Sequence, residues 1–303
     1  MDLRQLEMFL AVAENLSFTR ASQHLHVVQS AISRQIRLLE EELGETIFKR
    51  VNKRRVYLTP AGEVLLRYAR RILLDVRNAA IDVSQIGDLQ GGKLRVAAGI
   101  IACVYLLPPI FERFRELYPK VDLDIITGPT ETLISELRNN RIDLGVLTLP
   151  IQFPDLEVVP LCSEEMVVVT STKHRTLSKR RSLRAAELAD HPLILFGKGA
   201  RTRILLDDFF QEIGIAPRVS MDSENVATIK ALVEINLGIT IVPLRAVTEE
   251  RKRKELHYLR ISDYRLQRQI GLVFQKTDHL PKVVSEMIRL LKQLKKKQLK
   301  HVV

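Results

Sequence analysis

Ser17-Phe18-Thr19-Arg20-Ala21-Ser22-Gln23-His24-Leu25-His26-Val27-Val28-Gln29-Ser30-Ala31-Ile32-Ser33-Arg34-Gln35-Ile36-Arg37 is the stretch whose pattern decides the N-terminal fold. Phe18, Ala21 and Leu25 fall at helical spacing and predict a short amphipathic helix. His26 and Val27 then leave room for a tight turn. Beyond it, Ala31, Ile32, Leu38 and Leu39 can line the buried side of a second helix, with Ile36 near its edge. Gln29, Ser30, Ser33, Arg34 and Arg37 form the opposite side. Amides, hydroxyls and guanidiniums are the groups that pair with base edges and phosphates in a major groove. Two short helices, the second polar on one side, predict helix-turn-helix DNA binding. The same polar side would also suit an ordinary solvated helix.

Working outward, Leu3, Leu6, Phe9, Leu10 and Ala13 form an apolar stripe on a preceding helix, which packs under the pair to give a three-helix core. Glu40, Glu41 and Glu42 face away from DNA near the end of the second helix, which Gly44 can stop. Phe48 to Leu58 predicts two short strands around a basic tip of Lys49, Arg50, Asn52, Lys53, Arg54 and Arg55, a wing suited to phosphates or a minor groove. A basic loop is more often simply solvated; its place directly after a candidate recognition helix favours phosphate contact. Thr59-Pro60-Ala61-Gly62-Glu63 is a helix start, with Thr59 as cap and Pro60 in the first turn. Leu65, Tyr68 or Ala69, Ile72, Val76, Ala79, Val83 and Ile86 then make a heptad-like seam. A second copy of the same helix is its expected partner, with packing on its own protein the competing reading. Gly87, Gly91 and Gly92 mark a hinge.

From Lys93 the pattern alternates. Buried strands are predicted at 94–98, 121–126, 144–147, 166–169, 193–196 and 239–242, and amphipathic helices at 107–117, 130–139, 203–213, 225–234 and 281–296. This implies α/β units with mostly parallel strands and a ligand cleft at the strand ends. The chain is 303 residues long with a net charge of +11, which favours a polyanionic partner. Cys103 and Cys162 are too few for a disulfide framework and read as reduced, packed thiols. No signal peptide and no run of about 20 apolar residues is seen, so a soluble, cytoplasmic protein without a membrane partner is expected. His24 and His26 lack a completing Cys or carboxylate cluster, so no metal is expected, and no nucleophile elbow or phosphate-cradling loop occurs.

The chain resembles the LysR-type transcriptional regulators along its whole length. The resemblance is carried by Leu3-Arg4-Gln5-Leu6 through Phe9, Ser17–Ala21, Gln29–Ile36, Leu39-Glu40, Leu43-Gly44 and Leu58–Gly62. In the second half it is carried by Leu106-Leu107-Pro108, Phe114, Tyr118-Pro119, Asp143–Val146 and Gly238–Pro243. It implies an α/β protein with an N-terminal winged helix-turn-helix (1–58), a linker and dimerisation helix with hinge (59–92), and an effector domain (93–303). The effector domain would be a two-lobed, periplasmic-binding-protein-like (type 2) α/β fold, lobe I about 93–162 and 268–303, lobe II about 163–267. Such proteins are dimers or tetramers that bend double-stranded promoter DNA, answer to a small co-inducer, work with RNA polymerase and need no cofactor. The family's DNA-contacting positions correspond to Gln29, Ser30, Ser33 and Arg34, with Arg54 and Arg55 in the wing and Thr59 where the family often touches the backbone; Arg37 on the polar side and Lys53 in the basic tip join them from the pattern of residues. One departure is Val28, commonly Ser, which offers no side-chain acceptor to the first turn; Gln29 or Ser30 would then have to cap it.

By the same resemblance the effector lies between the lobes, with the chain crossing near 161–163 and 265–269. Ile100, Ile101 and Ala102, Gly128 and Thr130, Thr148, and Arg201, Thr202 and Arg203 should line it. Helix N-termini and the two arginines suit an oxyanion. Ile100, Ile101 and Ala102 stand where the family often has Ser or Thr, which suggests an effector with an anionic end and an apolar body. The arginines could equally make surface ion pairs. Two other classes compete with a regulator: an α/β enzyme or a solute-binding protein, either with an accessory DNA-binding segment.

Overall fold

A computed structural model of the chain describes residues 1–51, 55–84, 91–277 and 280–298. They form two compact units, each with its own apolar core.

The first unit opens with α1 (Leu3–Asn15), started by a capping box: Asp2 accepts the Gln5 N–H at 2.7 Å while the Gln5 side chain accepts the Asp2 N–H at 2.9 Å. Its buried line runs through Leu6, Phe9, Val12 and Ala13; Leu3, expected in that line, is exposed in the first turn. Ser17 caps α2 (Phe18–His24) by accepting the Arg20 N–H at 3.3 Å. The reversal into α3 (Gln29–Leu43) is made at His26, which takes φ 53°. The Val27 N–H then returns to the Ser22 carbonyl at 3.0 Å. α3 buries Ile32, Ile36 and Leu39, one helical stripe. Ile36 is therefore core rather than edge, and Leu38, about 100° around the helix from Leu39, is exposed rather than buried. Gly44 ends α3 at φ 71°.

The wing strands β1 (Phe48–Val51) and β2 (Arg55–Leu58) pair antiparallel, Phe48 opposite Leu58. Lys53, Arg54 and the Arg55 side chain lie outside the described residues. α4 (Pro60–Ser84) follows, and its first turn passes so close to Ile47 that a Cβ on Gly62 would stand 2.1 Å from the Ile47 carbonyl oxygen. Leu65 and Ala69 are buried in the core of this unit, and Arg70 donates to Glu14 at 3.3 Å. The start of the heptad-like seam is therefore used inside its own unit. Further along the same face Val76 and Val83 stay exposed, as do Val64 and Tyr68 to one side of it. Ile86 and Gly87 lie outside the described residues; Gly91 and Gly92 both take positive φ.

The second unit begins with β3 (Lys93–Ala98), α5 (Ile100–Tyr105), α6 (Pro108–Leu117), β4 (Asp122–Thr127), α7 (Thr130–Arg138) and β5 (Leu144–Thr148). Next come β6 (Leu156–Ser171), β7 (Ser182–Leu183), β8 (Leu193–Phe196), α8 (Arg201–Glu212), β9 (Val219–Ser223) and α9 (Val226–Glu234). β10 (Thr240–Pro243), α10 (Thr248–Lys252), β11 (Leu256–Ile261), β12 (Gln267–Gln275) and α11 (Lys282–Gln298) complete it. Strand order runs β4-β3-β5-β12-β6-β11-β7, with β10 also on β6.

The expected mostly parallel sheet is corrected to a mixed one. β3 is parallel to β4 and β5, but β12 is antiparallel to β5 and β6, and β10 and β11 are antiparallel to β6. Apolar periodicity reports burial, not direction, so β12 and the first half of β6, which carry polar residues, escape a pattern search. β6 pairs with β12 as far as Glu165 and with β10 from Met166, so the chain crosses between lobes a little later than the expected 161–163. The lobe I sheet alternates: Leu94, Val96 and Ala98 face Phe114 and Met287, while Ala97 and Leu147 face Leu133 and Leu137. In lobe II, Val167, Val169, Ile194 and Ile241 pack with Leu206, Phe209 and Ile229.

Candidate nucleic-acid interface and effector cleft

Gln29, Ser30, Arg34 and Arg37 are exposed along α3, with Ser33 half-buried between them. No side chain caps the helix: Val28 is the N-cap residue, and Gln29 and Ser30 do not take over that role. The Gln29 amide instead accepts from the Thr19 hydroxyl at 3.1 Å. Arg37 pairs with Glu41 at 3.1 Å, a fully solvated i,i+4 contact of small energetic weight. Between α3 and the wing runs a groove of about 600 Å³ with Phe18, Ile36 and Phe48 as its floor and Ser33, Arg34 and Arg37 along its rim.

Thr59 is placed differently from the expectation of a backbone contact. Its hydroxyl donates to the Thr46 carbonyl at 2.6 Å and accepts from the Gly62 N–H at 3.1 Å, and its own N–H goes to the Ile47 carbonyl at 3.1 Å. Both protons it could offer a phosphate are engaged inside the unit.

In the second unit the nine residues expected to line an effector cleft part company. α5 bridges the two lobes: Ile101 packs in the lobe II core with Tyr105 against it, while Ala102 and Leu106 belong to the lobe I core. Ile101 and Ala102 are thus core side chains rather than cleft wall; Ile100 is the exposed residue of the three. Thr130 opens α7 with Gly128 ahead of it, and Thr148 ends β5 opposite Ile270 of β12. Arg203 is 7 % exposed and turned inward, donating to the Phe196 carbonyl at 3.0 Å and to Asp207 at 2.8 Å. It holds its own helix to its own strand, so the expected grip on an oxyanion is withdrawn for this residue. Arg201 reaches from lobe II to Glu131 at the start of α7 in lobe I, 3.2 Å away, and its Nε is buried with no hydrogen-bond partner. Thr202 accepts from Arg268 at 3.1 Å.

The residues that reading from sequence passed over are those of the crossing strands. Arg268 on β12 lies opposite Glu164 on β6; their side chains are ion-paired and almost wholly buried, with Arg245 at 3.6 Å from the same carboxylate. Beside them the Cys162 thiol is pushed up to about 11, first by burial and then by the Glu164 charge. The Cys103 thiol is raised by burial as well. A second cross-lobe cluster joins Lys230 of α9 to Tyr105 at 2.8 Å, to the Ala246 carbonyl at 2.9 Å and to Glu250. Burial alone would lower the Lys230 ammonium, but the hydrogen bonds with Glu250 and Tyr105 outweigh it, and its pKa is raised. Polar residues inside strands leave no periodic signal, and only pairing of β6 with β12 brings Glu164 and Arg268 together.

Among the described residues no helix is long and apolar enough to cross a membrane, and no three potential metal ligands gather. Residues 3–63 match the bacterial regulatory helix-turn-helix protein, lysR family, and residues 87–296 match the LysR substrate binding domain. The chain is 30 % identical over 291 residues to the HTH-type transcriptional activator CmpR of Synechocystis, covering 94 % of this chain and 93 % of that protein. It is 32 % identical over 277 residues to the DNA-binding transcriptional dual regulator OxyR of Escherichia coli, covering 91 % and 90 %. In structure it is similar to a full-length OxyR variant from Pseudomonas aeruginosa, with a TM-score of 0.77 at 24 % identity over 98 % of this chain and 95 % of that one. It is also similar to the LysR family regulator CbnR in complex with its target DNA, with a TM-score of 0.66 at 24 % identity over 97 % and 99 %. A helix-turn-helix at residues 3–63 and a LysR substrate binding domain at residues 87–296, with relatives matched along nearly their full length, show that the chain belongs to the LysR family of DNA-binding transcriptional regulators.

Proposed function

We propose that two copies of this chain, able to assemble further into a tetramer, hold promoter DNA through α3 and the wing and respond to a small anionic effector between the lobes. Residues 1–58 serve as the DNA-binding domain, 59–92 as linker and hinge, and 93–303 as effector domain, with RNA polymerase the further partner at the promoter. Gln29, Ser30, Ser33 and Arg34 read base edges, while Arg37, Lys53, Arg54 and Arg55 neutralise phosphates. The observation that carries the DNA side is an exposed polar line on a helix whose N-terminus no side chain caps. Its first-turn N–H groups and dipole then suit a phosphate.

For the effector, the supporting observation is Arg201, whose cross-lobe partner Glu131 sits at the cleft and whose Nε has no acceptor. An oxyanion entering between the starts of α7 and α8 competes with Glu131 for this guanidinium, and Ile100, Thr130, Thr148 and Thr202 surround its body. Calorimetry with acetate, benzoate, sulfate and phosphate tests this reading. At least one anion is expected to bind the wild type, and Arg201→Ala is expected to abolish its heat. Unchanged affinity for every binder in Arg201→Ala would falsify the site.

A further inference from the structure

We infer that Glu40 is a positioning residue for DNA binding, acting through the wing. Sequence reading turns it, with Glu41 and Glu42, away from DNA. Instead, one oxygen of its carboxylate accepts two successive backbone N–H groups, Ile47 at 2.9 Å and Phe48 at 3.3 Å. Those residues begin the wing: Ile47 is fully buried in the core, and Phe48 is the first residue of β1. The carboxylate therefore ties the last turn of the recognition helix to the root of the first wing strand.

The other root of the hairpin is tied to the same short segment. After β2 ends at Leu58, the Thr59 N–H returns to the Ile47 carbonyl and the Thr59 hydroxyl to the Thr46 carbonyl, 3.1 and 2.6 Å. Ile47 is thus held by its N–H from α3 and by its carbonyl from the start of α4. Phe48 adds side-chain contact, with ring centroids 5.3 Å from Phe9 and 5.7 Å from Phe18, and it shares the floor of the groove with Ile36. Hydrogen bonds from backbone N–H groups to a carboxylate are charge-assisted and directional. The chain between Gly44 and Phe48 belongs to no helix or strand, and among these ties the two Glu40 bonds are the ones that run directly from α3 to the wing root.

Glu40 adds no charge that DNA would welcome; it acts by holding the root of the wing against α3. The inference rests on the wing contacting phosphates, as proposed above. Its test uses the full-length chain and a duplex recovered from a random library by the wild-type protein, titrated over a range of salt. Glu40→Ala is expected to weaken binding about tenfold and to lower the salt slope by about one unit or more as wing phosphates are lost. Glu40→Gln keeps the acceptor oxygen without the charge and is expected to stay within about threefold of wild type. Arg54→Ala/Arg55→Ala, which strips the wing itself, is the reference. In that background Glu40→Ala is expected to add little. If the stripped wing leaves the slope unchanged, the phosphate-contact reading fails. If it lowers the slope while Glu40→Ala does not, the wing reading stands and the positioning role is overturned. Amide exchange gives a readout independent of DNA: Glu40→Ala should speed exchange at Ile47 and Phe48 and leave α1 and α2 protected. Equal loss of protection across the unit would mark a merely structural role and overturn the inference.

Discussion

At the scale of single residues, tight packing and burial make two sharp expectations. Gly62 has no room for a side chain, because any Cβ would meet the Ile47 carbonyl at 2.1 Å, and a carbonyl fixed by Thr59 cannot move aside. Gly62→Ala is expected to destabilise the first unit by about 3 kcal/mol, the upper end for overpacking, read from the thermal unfolding midpoint of the full chain. Cys162, with its pKa pushed up to about 11 against an ordinary 9.0, should alkylate slowly. At pH 8 its thiolate fraction falls about a hundredfold below that of an unperturbed thiol, and mass spectrometry after brief iodoacetamide treatment should find it unmodified. Reading single residues from sequence succeeded where backbone geometry alone decides, as with Gly44 ending α3 at φ 71°. For Arg203 and Thr59 the sequence shows a polar side chain but not its partners, the Phe196 and Thr46 carbonyls, which the fold brings in.

At the scale of elements, α4 carries the point of interest. Its apolar positions divide along its length: Leu65 and Ala69 are inside the first unit, while Val76 and Val83, within about 20° of Leu65 around the helix, are in solvent. The heptad-like seam read from sequence is one face, covered by its own unit only in its first half. A second copy of the helix would cover the exposed line. Val76→Glu combined with Val83→Glu is expected to shift the protein to monomer in sedimentation velocity and to weaken operator binding at least about tenfold. The helix-turn-helix was legible because its core positions recur every three or four residues. Strand β12 and the first half of β6 were not, because their polar members Arg268 and Glu164 interrupt the apolar run.

At the scale of the whole molecule, the lobes of the second unit are joined by two crossing strands and by three polar links: Arg268–Glu164, Lys230–Tyr105 and Arg201–Glu131. The first is the most deeply buried, so breaking it leaves a charge without a full partner. Arg268→Met is expected to destabilise the chain by about 3–5 kcal/mol, measured by urea unfolding of the full-length protein. The double variant Arg268→Met/Glu164→Met should recover much of that loss, because burial then removes no charge from water.

The order of residues alone determined the helix-turn-helix, the wing, the long helix after it and the alternating α/β half, because burial periodicity and turn chemistry are local properties. Only the tertiary structure decided which polar side chains are free to meet a ligand. Glu40, Thr59, Arg203 and the Glu164–Arg268 pair find partners 3 to 104 residues away. A polar group's role depends on which acceptor or donor reaches it first, and for most of these residues that neighbour is supplied by another element of the fold.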